Sequence, residues 1–190
     1  MLKIVRTVFL MLVVFLAEQV YAQLPPPVNI PIQNIQQETN VWCWVAVAQQ
    51  IILASRGPVN TPAQCALVAM ANGAPPVACC GGYNPNCLVG GSIQQIQNLI
   101  LQFGGHVSNY APPTDPMTLY RTLSSGRPVI LQIASGPGSA HVIVVTGMSF
   151  TQTPFGVDPV LHVNDPMAIF TQPISFGRIV PIWMSAIVVN

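Results

Sequence analysis

Gln36-Gln37-Glu38-Thr39-Asn40-Val41-Trp42-Cys43-Trp44-Val45-Ala46-Val47-Ala48 places one cysteine near the start of an unbroken apolar run. With Thr39 or Asn40 as cap and Gly57-Pro58 as stop, the run predicts a helix over about Val41–Ser55. Because Val41–Ala48 is apolar at every position, that helix should be enclosed all round, as a central core helix is. A thiol in its first turn sits in the positive end of the helix field, which favours thiolate. Gln37, upstream of it, carries an amide that can donate to an oxyanion. A nucleophile and an oxyanion donor are two of the parts that acyl transfer needs, and the remainder of the chain must supply a base.

Working outward to the N-terminus, Lys3 and Arg6 precede the apolar run Thr7–Ala17, and Val20-Tyr21-Ala22 fits a cleavage site. Residues 1–22 therefore read as a secretory signal peptide, too short for a spanning helix, with an uncleaved anchor as the rival. The expected location is secreted or periplasmic, without stable membrane insertion after signal cleavage. The expected mature chain, residues 23–190, suits one compact unit, with room for two lobes sharing a cleft. It balances Arg56, Arg121, Arg127 and Arg178 against Glu38, Asp115, Asp158 and Asp165, and has no lysine. No basic patch is available to neutralise phosphates, which argues against a nucleic-acid partner.

Export changes the meaning of the cysteines. Cys65, Cys79, Cys80 and Cys87 cluster in a Gly/Pro/Asn-rich stretch, and Cys43 stands apart. Two disulfides and one free thiol fit that pattern. Bridging Cys79 to Cys80 would need a strained ring, which leaves 65–79 with 80–87, or 65–80 with 79–87. A zinc site is the rival, although paired C-x2-C knuckles are missing.

Residues 23–36 are proline-rich and read as extended. Thr61-Pro62 opens a second helix running to about Ala71. Ser92 and Gln95 form a capping box ahead of Ile93, Ile96, Leu99, Ile100 and Phe103 at helical spacing, stopped by Gly104-Gly105. Asp115-Pro116 starts a further helix with Leu119, Tyr120 and Leu123 inward and Gly126 as its stop. Then β-branched runs take over at Arg127–Ala134, His141–Phe150, Val160–Asn164 and about Ile179–Val189. Helices first and strands second predict an α+β fold, with a boundary near residues 105–115.

Three histidines compete for the role of base. His106 follows a helix-ending Gly-Gly pair and reads as a solvated or capping residue, and His162 as a packed strand residue. His141 follows the turn Ser135–Ala140 and opens the strand Val142-Ile143-Val144-Val145, where it can reach a cleft while the sheet holds its backbone. An acceptor that fixes its tautomer should come from Asn164-Asp165-Pro166, at the end of the next strand. Strand neighbours point to opposite faces, so Asn164 and Asp165 cannot both serve.

Gln37…Trp42-Cys43-Trp44, Gly126-Arg127-Pro128-Val129, His141 and Val163-Asn164-Asp165-Pro166 together resemble the papain-like cysteine proteases. The likeness is to the small bacterial branch of staphopain-like enzymes and plant-pathogen avirulence-effector proteases, and spans about residues 33–185. It implies Cys43 as nucleophile, His141 as general base and then acid, Asp165 as the histidine-orienting residue, and Gln37 with the Cys43 backbone N–H as oxyanion hole. It also implies a helical left lobe (about 23–110) carrying the nucleophile helix, packed on an antiparallel β-barrel-like right lobe (about 111–190). Only residues 23–35 separate the signal from the first active-site motif, so no long inhibitory propeptide is expected. The expected protein is a monomeric, secreted cysteine endopeptidase acting on protein or peptide substrates, with no metal or organic cofactor. An acyltransferase of transglutaminase type, or a non-catalytic binding module on the same fold, are the competing readings.

Overall fold

A computed structural model of the chain describes residues 23–190. The signal-peptide reading of residues 1–22 lies outside them. The regular elements are strand β1 (Val28–Asn29), helices α1 (Cys43–Arg56), α2 (Gln64–Ala71) and α3 (Ile93–Leu99), strand β2 (Ser108–Ala111) and helix α4 (Pro116–Ser124). Strands β3 (Val129–Gly136), β4 (Ser139–Thr153), β5 (Gly156–Asn164) and β6 (Ile174–Ser175), short helix α5 (Phe176–Ile179) and strand β7 (Trp183–Val189) follow. Among the described residues no helix is long and apolar enough to cross a membrane.

All strands join one antiparallel sheet in the order β2-β7-β3-β4-β5-β6. β1 lies against β4 at Met148 and Gly147, beyond the end of β3. Helices and an antiparallel sheet make the mixed architecture that the change of character along the chain predicts. The sheet is open: β2 and β6 form its two edges, and the barrel-like closure of the right lobe is not formed. Helices occupy both of its faces instead. Ile130, Val142, Val144, Ile187 and Val189 pack with α1, α2 and α3, whereas Val129, Leu131, Ile133, Ile143, Val145 and Ala186 pack with Leu119 and Leu123 of α4 and Phe176 and Ile179 of α5. A strand covered on both sides needs apolar residues at successive positions, which is why Val142–Val145 shows no alternation.

Helix α1 is the axis of the first core. Trp44–Ala48, Gln50, Ile51 and Ile52 are all buried, as the run of apolar residues predicts. The capping box at Ser92 and Gln95 forms, and the Asp115 carboxylate caps α4 at the backbone N–H groups of Met117 and Thr118. The helix ending at Gly104 makes its last turn, Ile100–Gly104, with wider π-type spacing. Several expectations need correction. β3 runs to Gly136 and β4 begins at Ser139, so only Pro137 and Gly138 separate them, and His141 lies within its strand, opposite Ile133, instead of opening it after a turn over Ser135–Ala140. The Thr61-Pro62 helix begins only at Gln64, because Pro58–Asn60 forms a separate 3₁₀ turn. The final strand begins at Trp183, since Phe176–Ile182 coils into short helical turns. β1, β2 and β6 were not expected, because two- and four-residue strands take their identity from distant partners rather than from local pattern.

Candidate active site

Cys43 is the first residue of α1, so its N–H has no intrahelical acceptor. The expected cap at Thr39 or Asn40 is absent. Trp42 takes the N-cap position with no side-chain hydrogen bond, because residues 39–42 form a turn in which the Trp42 N–H bonds to the Thr39 carbonyl at 3.4 Å. The positive end of the helix is thus left open beside the thiol. Cys43 is half-buried and is the free cysteine among the described residues. The other four pair as Cys65–Cys80 and Cys79–Cys87, one of the two patterns left open by spacing.

Both tryptophans beside Cys43 are anchored to the disulfide-bearing loop. The Trp42 indole N–H donates to the Cys87 carbonyl at 2.8 Å, and that of Trp44 to the Val89 carbonyl at 3.1 Å. Gly91 lies flat against the Trp44 ring, where a Cβ would stand 2.1 Å from the indole. The Cys79–Cys87 bridge holds one end of this cradle, so the cysteine-rich segment supports the helix that presents the thiol.

β4 and the end of β5 bring a second pair together. His141 Nε2 and Asp165 Oδ1 are 2.6 Å apart, with the two residues 2% and 0% exposed. The same carboxylate accepts from the Met167 N–H at 2.8 Å and the Phe170 N–H at 2.9 Å. Ala168 adopts φ 56°, in the left-handed region, so that residues 167–170 can wrap the carboxylate. Burial disfavours the charged imidazole, but the Asp165 carboxylate and the nearby Cys43 sulfur outweigh it, raising the pKa of His141 from 6.5 to about 9. Asp165 also loses hydration by burial. The bonds from His141, Phe170 and Met167 more than offset that and hold its carboxyl below the ordinary range. His141 Nδ1, the nitrogen opposite the one that meets Asp165, is buried and makes no hydrogen bond.

Asn164 and Asp165 turn to different partners, and it is Asp165 that meets His141. Asn164 turns its amide to the Ile32 carbonyl at 2.8 Å, away from His141. The other histidines are engaged elsewhere. His106 Nδ1 lies 2.8 Å from the Asn190 carbonyl oxygen, lining a cavity of about 240 Å³ at the far end of α1 with Ile51 and Ala54. His162 Nε2 is 3.0 Å from Ser149 Oγ on the neighbouring strand.

Gln37 sits in the turn before α1. Its backbone N–H bonds to the Pro166 carbonyl at 3.1 Å, directly after Asp165 in the chain, so the turn is tied to the loop that orients His141. Its Nε2 donates to the Thr39 carbonyl at 2.6 Å, which fixes the amide orientation and leaves a second N–H available. A cleft of about 350 Å³ opens here, lined by Gln36–Asn40, Pro166 and Met167.

Residues 29–174 match the model of the Peptidase_C39 like family. The chain belongs to that family. Among solved structures it is similar to a protein described as a C39-like peptidase from Bacillus anthracis, at a TM-score of 0.60 and 14% identity, covering 87% of this chain and 98% of that one. At that identity the likeness is one of fold. A search of curated proteins finds no match. The C39-like assignment supports cysteine-peptidase-like character for the chain, with protein or peptide as the substrate class that such a family implies. It is not a match to the staphopain-like and avirulence-effector branch that the motifs resemble.

Sequence reasoning passed over Gln50 and Gln64. Both are buried, and both hold the chain that leads to Gln37. Gln50 Nε2 donates to the Ile35 carbonyl and to Asn34 Oδ1, each at 3.2 Å. The only signal for them was a polar residue in an otherwise apolar helix face.

Proposed function

We infer that the protein is a secreted cysteine endopeptidase working through Cys43, His141 and Asp165, with Gln37 and the Cys43 N–H as oxyanion donors. The observation that carries this reading is the buried His141–Asp165 pair with Nδ1 left unpartnered and the Cys43 sulfur close enough to help raise the imidazole pKa. Cys43 attacks the scissile carbonyl carbon as thiolate, with its proton already held on His141. The resulting oxyanion receives N–H bonds from Cys43 and Gln37. As the C–N bond breaks, His141 returns its proton to the departing amine and leaves a thioester on Cys43. Water, deprotonated by His141, attacks that thioester, and the peptide acid departs as the thiol is restored. Asp165 holds the imidazole in the required tautomer and stabilises its charged form throughout.

The unpaired Cys43 beside two disulfides, and the balanced charge of residues 23–190, which contain no lysine, support an exported protein that does not engage nucleic acid. The test is cleavage profiling of a peptide library with the wild type and Cys43→Ala, repeated with an amine acceptor and read by mass spectrometry. Cys43-dependent hydrolysis is the expected result. Amide products in its place would establish acyl transfer, and cleavage retained by Cys43→Ala would overturn the proposal.

A further inference from the structure

Gln64 is the first residue of α2 and is 1% exposed. A primary amide buried to that degree is costly unless both of its ends are paired. Both are paired, and their partners flank Gln37. Gln64 Oε1 accepts from the Glu38 N–H at 3.0 Å, and Gln64 Nε2 donates to the Gln36 carbonyl at 2.8 Å.

In extended backbone the carbonyl of one residue and the N–H two residues later point to the same edge, and the N–H of the residue between them points to the opposite edge. Gln64 therefore acts as a one-residue strand partner along one edge of Gln36–Glu38. The Gln37 N–H on the other edge is taken by the Pro166 carbonyl. The backbone around Gln37 is gripped from both sides, which fixes the point from which its side chain departs.

The grip is mounted on rigid structure. The residue after Gln64 is bridged by Cys65–Cys80, and Gln49 Nε2 donates to the Pro62 carbonyl at 2.9 Å, fixing the entry to α2 against α1. None of the steps assigned to Cys43, His141 or Asp165 uses Gln64. We propose that Gln64 is a positioning residue for the oxyanion site: its side-chain amide holds the Gln36–Glu38 backbone so that the Gln37 amide stays aimed at the developing charge. The proposal rests on the reading of Gln37 as an oxyanion donor.

The magnitude follows from how steeply such sites respond to misplacement. Losing an oxyanion donor costs about 10²–10³ in kcat, and a displacement of about 1 Å can cost about 10². Gln64→Ala should fall between a partial and a complete loss of the Gln37 contribution.

The experiment compares peptide hydrolysis with iodoacetamide alkylation of Cys43, since alkylation needs the nucleophile but forms no oxyanion. The full chain is assayed as wild type, Gln64→Ala, Gln64→Glu, Gln37→Ala and the Gln37→Ala/Gln64→Ala double variant. Gln64→Ala should lower kcat by about 10- to 100-fold, with KM and the alkylation rate within about threefold of wild type. In the Gln37→Ala background the same change should add nothing, because both act through one group. Gln64→Glu keeps the acceptor for the Glu38 N–H and loses the donor to Gln36. It should lie between wild type and Gln64→Ala, and it carries the test if the alanine variant does not fold.

Hydrolysis near the wild-type rate in folded Gln64 variants, equal losses of hydrolysis and alkylation, or multiplicative losses in the double variant would each overturn the clamp. If the wild type shows no Cys43-dependent hydrolysis, or Gln37→Ala is silent, the reading of the site itself fails and the positioning role goes with it. A loss in Gln37→Ala with none in the Gln64 variants defeats the clamp alone.

Discussion

His141 Nε2 lies 2.6 Å from Asp165 Oδ1, while the other ring nitrogen is buried and makes no hydrogen bond. One nitrogen of the imidazole is therefore committed to a carboxylate, and the other is left unpaired in the site. Asp165 is in turn held by two backbone N–H groups, so its position is set by the 165–170 loop rather than by the histidine.

This pairing makes folding stability depend on pH at both ends. His141 has a folded pKa of about 9 against an ordinary 6.5, so its contribution is complete below about 6.5 and is lost as pH rises through about 9. Asp165 is shifted the other way, so its contribution is present above the ordinary 3.8 and is lost as pH falls through the lowered value. Thermal melts across pH should show the highest Tm between these limits, and Asp165→Asn should flatten both shoulders. The His141 ring resonances followed by NMR should titrate near 9.

Asp165→Asn should also lower kcat/KM by roughly 10²–10⁴ through loss of the tautomer and charge that the imidazole needs. Asp165→Ala should destabilise by about 3–5 kcal/mol, since it strands the Met167 and Phe170 N–H groups and leaves His141 buried without its partner. Steady-state kinetics and urea denaturation separate the two effects.

Gly91→Ala should be disproportionately damaging for a single methyl group. The new Cβ would stand 2.1–2.6 Å from atoms of the Trp44 indole, so the ring must leave its place and its bond to Val89. A loss of about 1–3 kcal/mol is expected, with a change in tryptophan fluorescence and reduced peptide hydrolysis in the same variant.

The Cys79–Cys87 bridge closes a short loop whose last carbonyl anchors Trp42. Replacing both cysteines with serine should cost about 2–3 kcal/mol. It should also reduce hydrolysis, because the helix start that carries Cys43 loses one of its anchors. Melting curves and activity assayed without reductant check both outcomes.

Much of this was legible in local sequence, for identifiable reasons. An all-apolar helix can only be a core helix, and α1 is buried where the run of Trp44–Ala48 placed it. The Ser92/Gln95 box and the Asp115 cap are contacts between near neighbours in the chain, which sequence spacing specifies directly. The helix start at Cys43 was misjudged by two residues because Thr39 and Asn40 look like caps by type, whereas the turn at 39–42 spends their backbone on the Gln37 loop. The π-type turn at Ile100–Gly104 and the opening of the sheet had no local signature.

The sequence by itself determined the parts: one thiol at a helix start, a histidine on an apolar strand, an acid at the end of the next strand, and four cysteines close enough to pair. These follow from residue type, periodicity and short-range capping, which act within a few positions. Only the tertiary structure decided their relationships. It chose Asp165 over Asn164, paired Cys65 with Cys80, kept the sheet open by covering both of its faces, and brought Gln64 across to grip the backbone around Gln37. Those choices depend on which buried polar groups find partners once distant segments pack, and no pattern within a single segment contains that information.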